Sequence, residues 1–165
     1  MRMSIRGVIV FLCVFGWGVP ALQAAEGHIE GRISLMLQED DVRYGDWIRV
    51  FLVREAVAVS SPGDLSDLGK HEKIERLISA HVDFFKKAMD KMNDPHYIVA
   101  ETLTTPDGTF KFYGLAPGLY YVVVTLPSMI YGYKVAWQVP APVTAGKTLK
   151  IELNNSNLAV PTYRR

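Results

Sequence analysis

The sequence predicts a mainly β protein: an antiparallel sandwich of about seven strands carrying one inserted amphipathic α-helix. Three observations predict it. Apolar and polar residues alternate over short runs, the pattern of strands with one buried face. Glycine- and proline-bearing turns part these runs roughly every eight to twelve residues, the spacing of an all-β sandwich. Over residues 66–93 the apolar period changes to three and four, which is one stripe of a helix.

The chain opens MRMSIRGVIVFLCVFGWGVPALQAAEG. Arg2 and Arg6, the uncharged apolar run from Gly7 to Pro20, and the small Ala24 and Ala25 predict a secretory signal peptide over residues 1–24, cut after Ala24 or Ala25. The run is shorter than the about 20 residues that span hydrocarbon. No second long apolar segment follows, so no transmembrane segment is expected in the mature chain, and the expected address is periplasmic or secreted. The single cysteine, Cys13, lies inside this leader. Its removal excludes disulfides, a thiolate nucleophile and a cysteine metal site. What remains suits one domain, expected over residues 25–153, followed by a flexible tail over 154–165. Eighteen Lys and Arg stand against 17 Asp and Glu, and the leader takes two of the basic residues away. Binding to a phosphate backbone needs a basic stripe, so nucleic acid is not an expected partner.

Along the mature chain, GHIEGRISLMLQ alternates at Ile29, Ile33, Leu35 and Leu37. A polar turn with Glu39, Asp40, Asp41 and Asp46 follows, and then WIRVFLVRE. Its Ile48, Val50 and Leu52 share one face; Trp47, Arg49, Phe51 and Val53 share the other, which is apolar enough to need a cover. The insertion at 56–95 supplies a candidate. Ile74, Leu77, Ile78, His81, Phe85, Ala88, Met89 and Met92 form its stripe, with Glu72–Arg76, Asp83–Lys87 and Lys86–Asp90 at i,i+4 on the opposite side. Strands are then expected over Ile98–Thr104, around Phe110 and Phe112, from Tyr120 to Thr125, from Tyr131 to Val139 and from Lys147 to Leu153. The Pro106-Asp107-Gly108 corner tolerates a positive φ, and Pro117-Gly118 suits a type II turn.

In DGTFKFYGLAPGLYYVVV the residues Asp107, Gly108, Phe110, Phe112, Leu115, Pro117, Gly118, Tyr120, Val122 and Val124 resemble the pattern of the carboxypeptidase regulatory-like domain. That domain is a small Greek-key sandwich of the transthyretin-like (prealbumin-like) group. The resemblance covers most of the mature chain, with 56–95 as an insertion foreign to the compact module. It implies that Phe110, Phe112, Leu115 and Tyr120 are core plugs. One branch of the group is a hydrolase using histidines, an arginine and a closing Tyr-Arg-Gly-Ser. Here the end reads Thr162-Tyr163-Arg164-Arg165, without Gly-Ser, and His28, His71, His81 and His96 lie far from it in sequence.

No Gly-x-Ser-x-Gly elbow, His-Glu-x-x-His pair or phosphate loop is present. Accordingly no catalytic, cofactor-binding or metal residues are expected. His71 and Glu75 stand one helical turn apart without an evident third ligand, and the acidic 39–46 turn lacks the ordered spacing of a calcium loop. The aromatic content is more informative. Tyr113, Tyr121, Tyr131, Tyr133 and Trp137 join Trp47 and Phe51. The expected binding surface is Met129, Ile130, Tyr131, Tyr133 and Trp137 together with the inserted helix. Such surfaces suit a protein partner in the cell envelope, and flat rings also suit carbohydrate.

Overall fold

In a computed structural model the chain is described from residue 25 to residue 164. The signal-peptide reading of residues 1–24, Cys13 included, lies outside the described residues, as does Arg165. Two sheets form a sandwich. The first contains β1 (Gly27–Gln38), β2 (Asp41–Tyr44), β5 (Thr109–Leu115) and β9 (Thr148–Leu153). The second contains β3 (Arg49–Val53), β4 (Ile98–Leu103), β6 (Gly118–Val124), β7 (Met129–Ile130), β8 (Tyr133–Val143) and β10 (Leu158–Tyr163). Its order is β10-β8-β6-β3-β4, with the short β7 paired to β8. One helix, α1 (Lys70–Met92), is inserted between β3 and β4.

The expected faces are the observed ones. Ile48, Val50 and Leu52, together with Tyr120, Val122 and Val124, point into the space between the sheets and meet Ile29, Ile33, Phe110, Phe112 and Trp137 there. On the other face of the six-stranded sheet, Val53, Val123, Ala136 and Val160 pack with Ala80 and Phe84 of the helix, and Phe51 and Tyr121 lean on them. The result is three layers: sheet, sheet, helix. Each large apolar side chain so buried contributes roughly 1.5–3 kcal/mol.

Among the described residues there are ten strands rather than seven. The added strands are β2, β7 and β10, and one pairing, β1 with β9, is parallel. The expected flexible tail is instead a 3-10 turn (Asn155–Asn157) and β10, which pairs with β8. The indole N–H of Trp137 donates to Asn154 O at 2.9 Å, and the Asn154 side chain caps the turn.

Gly118 does not take the positive φ of a type II turn, because 116–117 is a crossing from the first sheet to the second rather than a hairpin. The corner is fixed by the Tyr120 hydroxyl, which donates to Ala116 O at 2.8 Å, an arrangement of the tyrosine-corner kind. Gly114 carries the positive φ instead, +67°. It inserts an extra residue into β5, so Phe110, Phe112 and then Leu115 all face inward.

The buried seam of α1 runs through Leu77, Ala80, His81, Phe84 and Ala88. It is rotated from the expected stripe, leaving Phe85, Met89 and Met92 beside the seam. The helix backbone lies against β10, at one edge of the sheet. The linker before it is fastened to β8 by Gln138, whose amide both accepts from Val57 N at 2.8 Å and donates to Val57 O at 2.9 Å. No helix among the described residues is long and apolar enough to cross a membrane.

Candidate binding groove

Because α1 docks toward β10, the β3–β4 side of the sheet's outer face is only partly covered. A groove of about 550 Å³ opens there. Phe85, Met89 and Met92 form its helical wall, Phe51 and Leu103 its floor, and Trp47 and Met129 belong to its rim. Polar groups are few: Asp46, Arg49, Thr125 and Ser128. The Thr125 hydroxyl is buried beside it without a hydrogen-bond partner. A second depression, about 590 Å³, is lined by the linker at Ser61–Ser66 with Ala159 and Pro161, and no aromatic side chain borders it.

Trp47 is held in place with unusual care. It is 66% exposed and has φ +52°, a left-handed conformation that bulky residues avoid. The buried Thr104 clamps the turn around it: its hydroxyl accepts from Ile48 N at 2.7 Å and donates to Gly45 O, while Thr104 N donates to Ile48 O at 2.9 Å. Among the described residues two other non-glycine residues share the left-handed region, and both close hairpins. Asp40 joins β1 to β2, and Tyr131 with Gly132 forms the two-residue turn between β7 and β8, where φ is positive at both positions. Trp47 lies in a crossing between sheets, where no hairpin demands that conformation.

Of the five residues expected to form the surface, Met129 is 48% exposed and Tyr131 61%. Tyr131 lies under the Arg43 guanidinium, 4.5 Å from ring centre to Cζ. Tyr133 is half-buried beneath Arg164. The other two must be corrected. Ile130 is buried, and Trp137 is 0% exposed. Ile130 turns from the short β7 into the core between the sheets. In β8, Val135, Ala136 and Trp137 are all buried because sheet packing covers one face and helix packing the other. Sequence reasoning placed Trp47 under the helix. It stands instead at the groove's rim, and no periodicity signals a left-handed turn residue.

The histidines do not assemble a site. His28 meets Tyr113 on the first sheet, and His71 is paired with Glu75 at 3.1 Å on the solvent side of α1. His81 lies ten residues further along the same helix, about 15 Å at 1.5 Å per residue. It is buried, contacts Pro161 O through Nε2 at 3.0 Å and the ring of Tyr163 edge-on, and leaves Nδ1 unpartnered. Burial pushes its imidazole below the usual value; Lys134 acts the same way, and the Pro161 carbonyl opposes both. Tyr163 is therefore a core residue under the helix. Among the described residues no cluster of His, Cys, Asp or Glu could hold a metal ion, the acidic 39–46 segment included.

No known family pattern matches this chain, and neither does any curated protein. Solved structures do. The minor pilin GBS52 of Streptococcus agalactiae matches with 13% identity and a TM-score of 0.46 over 86% of this chain and 48% of the pilin. A structure described as "a putative carbohydrate binding protein" from Pseudomonas aeruginosa matches with 17% identity and a TM-score of 0.49, over 80% of this chain and 90% of that one. The pilus backbone RrgB of Streptococcus pneumoniae matches with 14% identity and a TM-score of 0.36, over 77% and 40%. The chain thus spans less than half of either pilus protein. At such identities and TM-scores the likeness decides neither family nor ligand.

Proposed function

We propose that the protein is an exported, non-catalytic binding module whose groove docks a protein partner of the cell envelope. One observation carries this reading. Trp47 is kept in a costly backbone conformation, pinned by a buried threonine, and presents its indole to solvent beside an apolar groove. Such strain persists only where surrounding structure enforces it, and it concentrates at functional positions. The lining favours protein over sugar. Three methionines, a phenylalanine wall and few polar groups give an adaptable apolar surface, the kind that accepts peptide side chains. The carboxypeptidase regulatory-like resemblance belongs to this reading as a scaffold without catalytic machinery.

A second reading is carbohydrate binding. Trp47 and Tyr131 are exposed flat rings, with Asp46 and Arg43 as polar neighbours. One experiment separates the two. The tagged protein is exposed in parallel to a solubilised envelope fraction and to immobilised polysaccharides. Capture of a specific protein that is lost in Met89→Glu supports the docking reading. Retention on polysaccharide that is lost in Trp47→Ala and Tyr131→Ala overturns it in favour of the second.

A further inference from the structure

The outer strands of the two sheets are not equally protected against pairing. β10 carries Pro161 and has α1 packed against it. β9 shows Lys150 and Glu152 to solvent, and β5 shows Lys111 and is broken by the bulge at Gly114. β2 is four residues long and bears Asp41 and Arg43. These are the devices by which proteins blunt a sheet edge: proline, charge, bulge and shortness. β4 has almost none of them. Its six residues, Ile-Val-Ala-Glu-Thr-Leu, contain one charge and no proline, and none of the six is buried. Among the described residues its backbone pairs with β3 and with no other strand.

This open edge borders the groove. Leu103 and Glu101 lie opposite Arg49 and Phe51 on β3, and Leu103, Arg49 and Phe51 all line the groove. A row of unpaired N–H and C=O groups is satisfied along its length only by another extended backbone. The side chains beside it set the occupant's pattern. Leu103, 49% exposed, calls for an apolar residue on the groove side. Glu101, more than half exposed and only 3.9 Å from Arg49, calls for a basic one.

We propose that β4 is the strand-pairing edge of the binding site and takes an extended segment of the partner protein, apolar at alternate positions with a lysine or arginine opposite Glu101. This rests on the protein-docking reading above and gives it a mode: backbone pairing along β4, with side chains reaching over the edge into the groove.

The probe is a synthetic peptide, Ile-Leu-Val-Arg-Leu-Val-Arg, which is the sequence of residues 48–54 with Arg49→Leu and Phe51→Arg, so that in the register β3 uses a leucine meets Leu103 and an arginine meets Glu101. Titrated into the purified protein, it should slow hydrogen exchange at alternate amides of Ile98–Leu103. Leu103→Lys, a change at an exposed side chain, should leave the circular dichroism unaltered and weaken the peptide by at least about tenfold, because a lysine at an edge opposes pairing. Glu101→Lys should prefer a peptide with both arginines changed to glutamate. Unchanged β4 amides at saturating peptide would overturn the inference. So would indifference of binding to Leu103→Lys, or β4 amides already protected in a dimer of the free protein. Partner capture lost in Met89→Glu but kept in Leu103→Lys would sink the edge and leave the groove standing. Peptide pairing in a protein that captures no envelope protein would do the reverse.

Discussion

The two faces of the six-stranded sheet come from the same residues in alternation, yet they are finished differently. The inner face is sealed over β3, β6 and β8: Val50, Leu52, Val122, Val124 and Trp137 are buried against the opposing sheet, and the buried Thr104 beside them is hydrogen-bonded. The outer face is covered only where α1 lies. Phe84 is fully buried there, but toward β3 and β4 the cover ends in Phe85, Met89, Met92 and a groove. The difference teaches where each job is done. Packing that closes completely specifies the fold, whereas packing that stops short leaves a surface able to accept another molecule.

Substitutions on the two faces should part accordingly. The largest loss is expected from Trp137→Ala, which empties a fully buried site and removes the bond to Asn154 O; about 4 kcal/mol should be missing in urea denaturation. Phe84→Ala should cost somewhat less, about 3 kcal/mol. Its signature should be local: amides of α1 should exchange faster while those of β1 and β5 stay protected. Equal loss of protection everywhere would show that the helix is part of the core rather than a cover. Thr104→Val should cost about 1–2 kcal/mol by leaving Ile48 N and Gly45 O without the hydroxyl. It should also weaken partner capture, because the turn carrying Trp47 is released. Capture unaffected by this change would detach the clamp from function.

His81 sharpens the comparison through pH. Its buried Nδ1 has no acceptor, so a second ring proton would be stranded under the helix. The native imidazole value is therefore lowered, and over the interval between the native and unfolded values the unfolded chain binds more protons. Stability from this group is full above the ordinary value of about 6.5 and is lost as pH falls below it. The melting temperature should drop on acidification, and His81→Leu should remove that part of the drop. An unchanged pH profile in His81→Leu would contradict the account. The groups that face the ring are Tyr163 and the Pro161 carbonyl from β10, with Lys134 of β8 contributing its charge.

Much of this architecture is legible in the chain itself. Alternation assigned the inner faces of β3 and β6 residue by residue, and the change of period marked α1. What escaped did so for physical reasons. β2 is only four residues long and largely exposed, β7 has two residues, and β10 is interrupted by a proline, so none carries an apolar alternation long enough to read. β10 forms because β8, α1 and the Trp137–Asn154 bond hold it. Trp137 reads as surface because aromatic and apolar residues in a strand covered on both faces carry no sign of which side is open. Ile130 does so because a two-residue strand is too short to show which of its side chains turns inward. Met129 and the α1 residues Phe85, Met89 and Met92 line one groove, although they lie far apart in the sequence. The left-handed conformation of Trp47, on which the functional reading turns, is invisible until backbone angles are known.

The most direct test is therefore a paired measurement on Trp47→Gly, the smallest expected change in stability. Glycine accepts a positive φ without strain, and Trp47 has little packing to lose, so stability should hold or rise by about 1 kcal/mol or less. Capture of the envelope partner should nevertheless fall by at least about tenfold, the loss of one aromatic anchor. A protein that melts early, or one that still captures its partner at full strength, would contradict the claim that this strained indole is kept for binding.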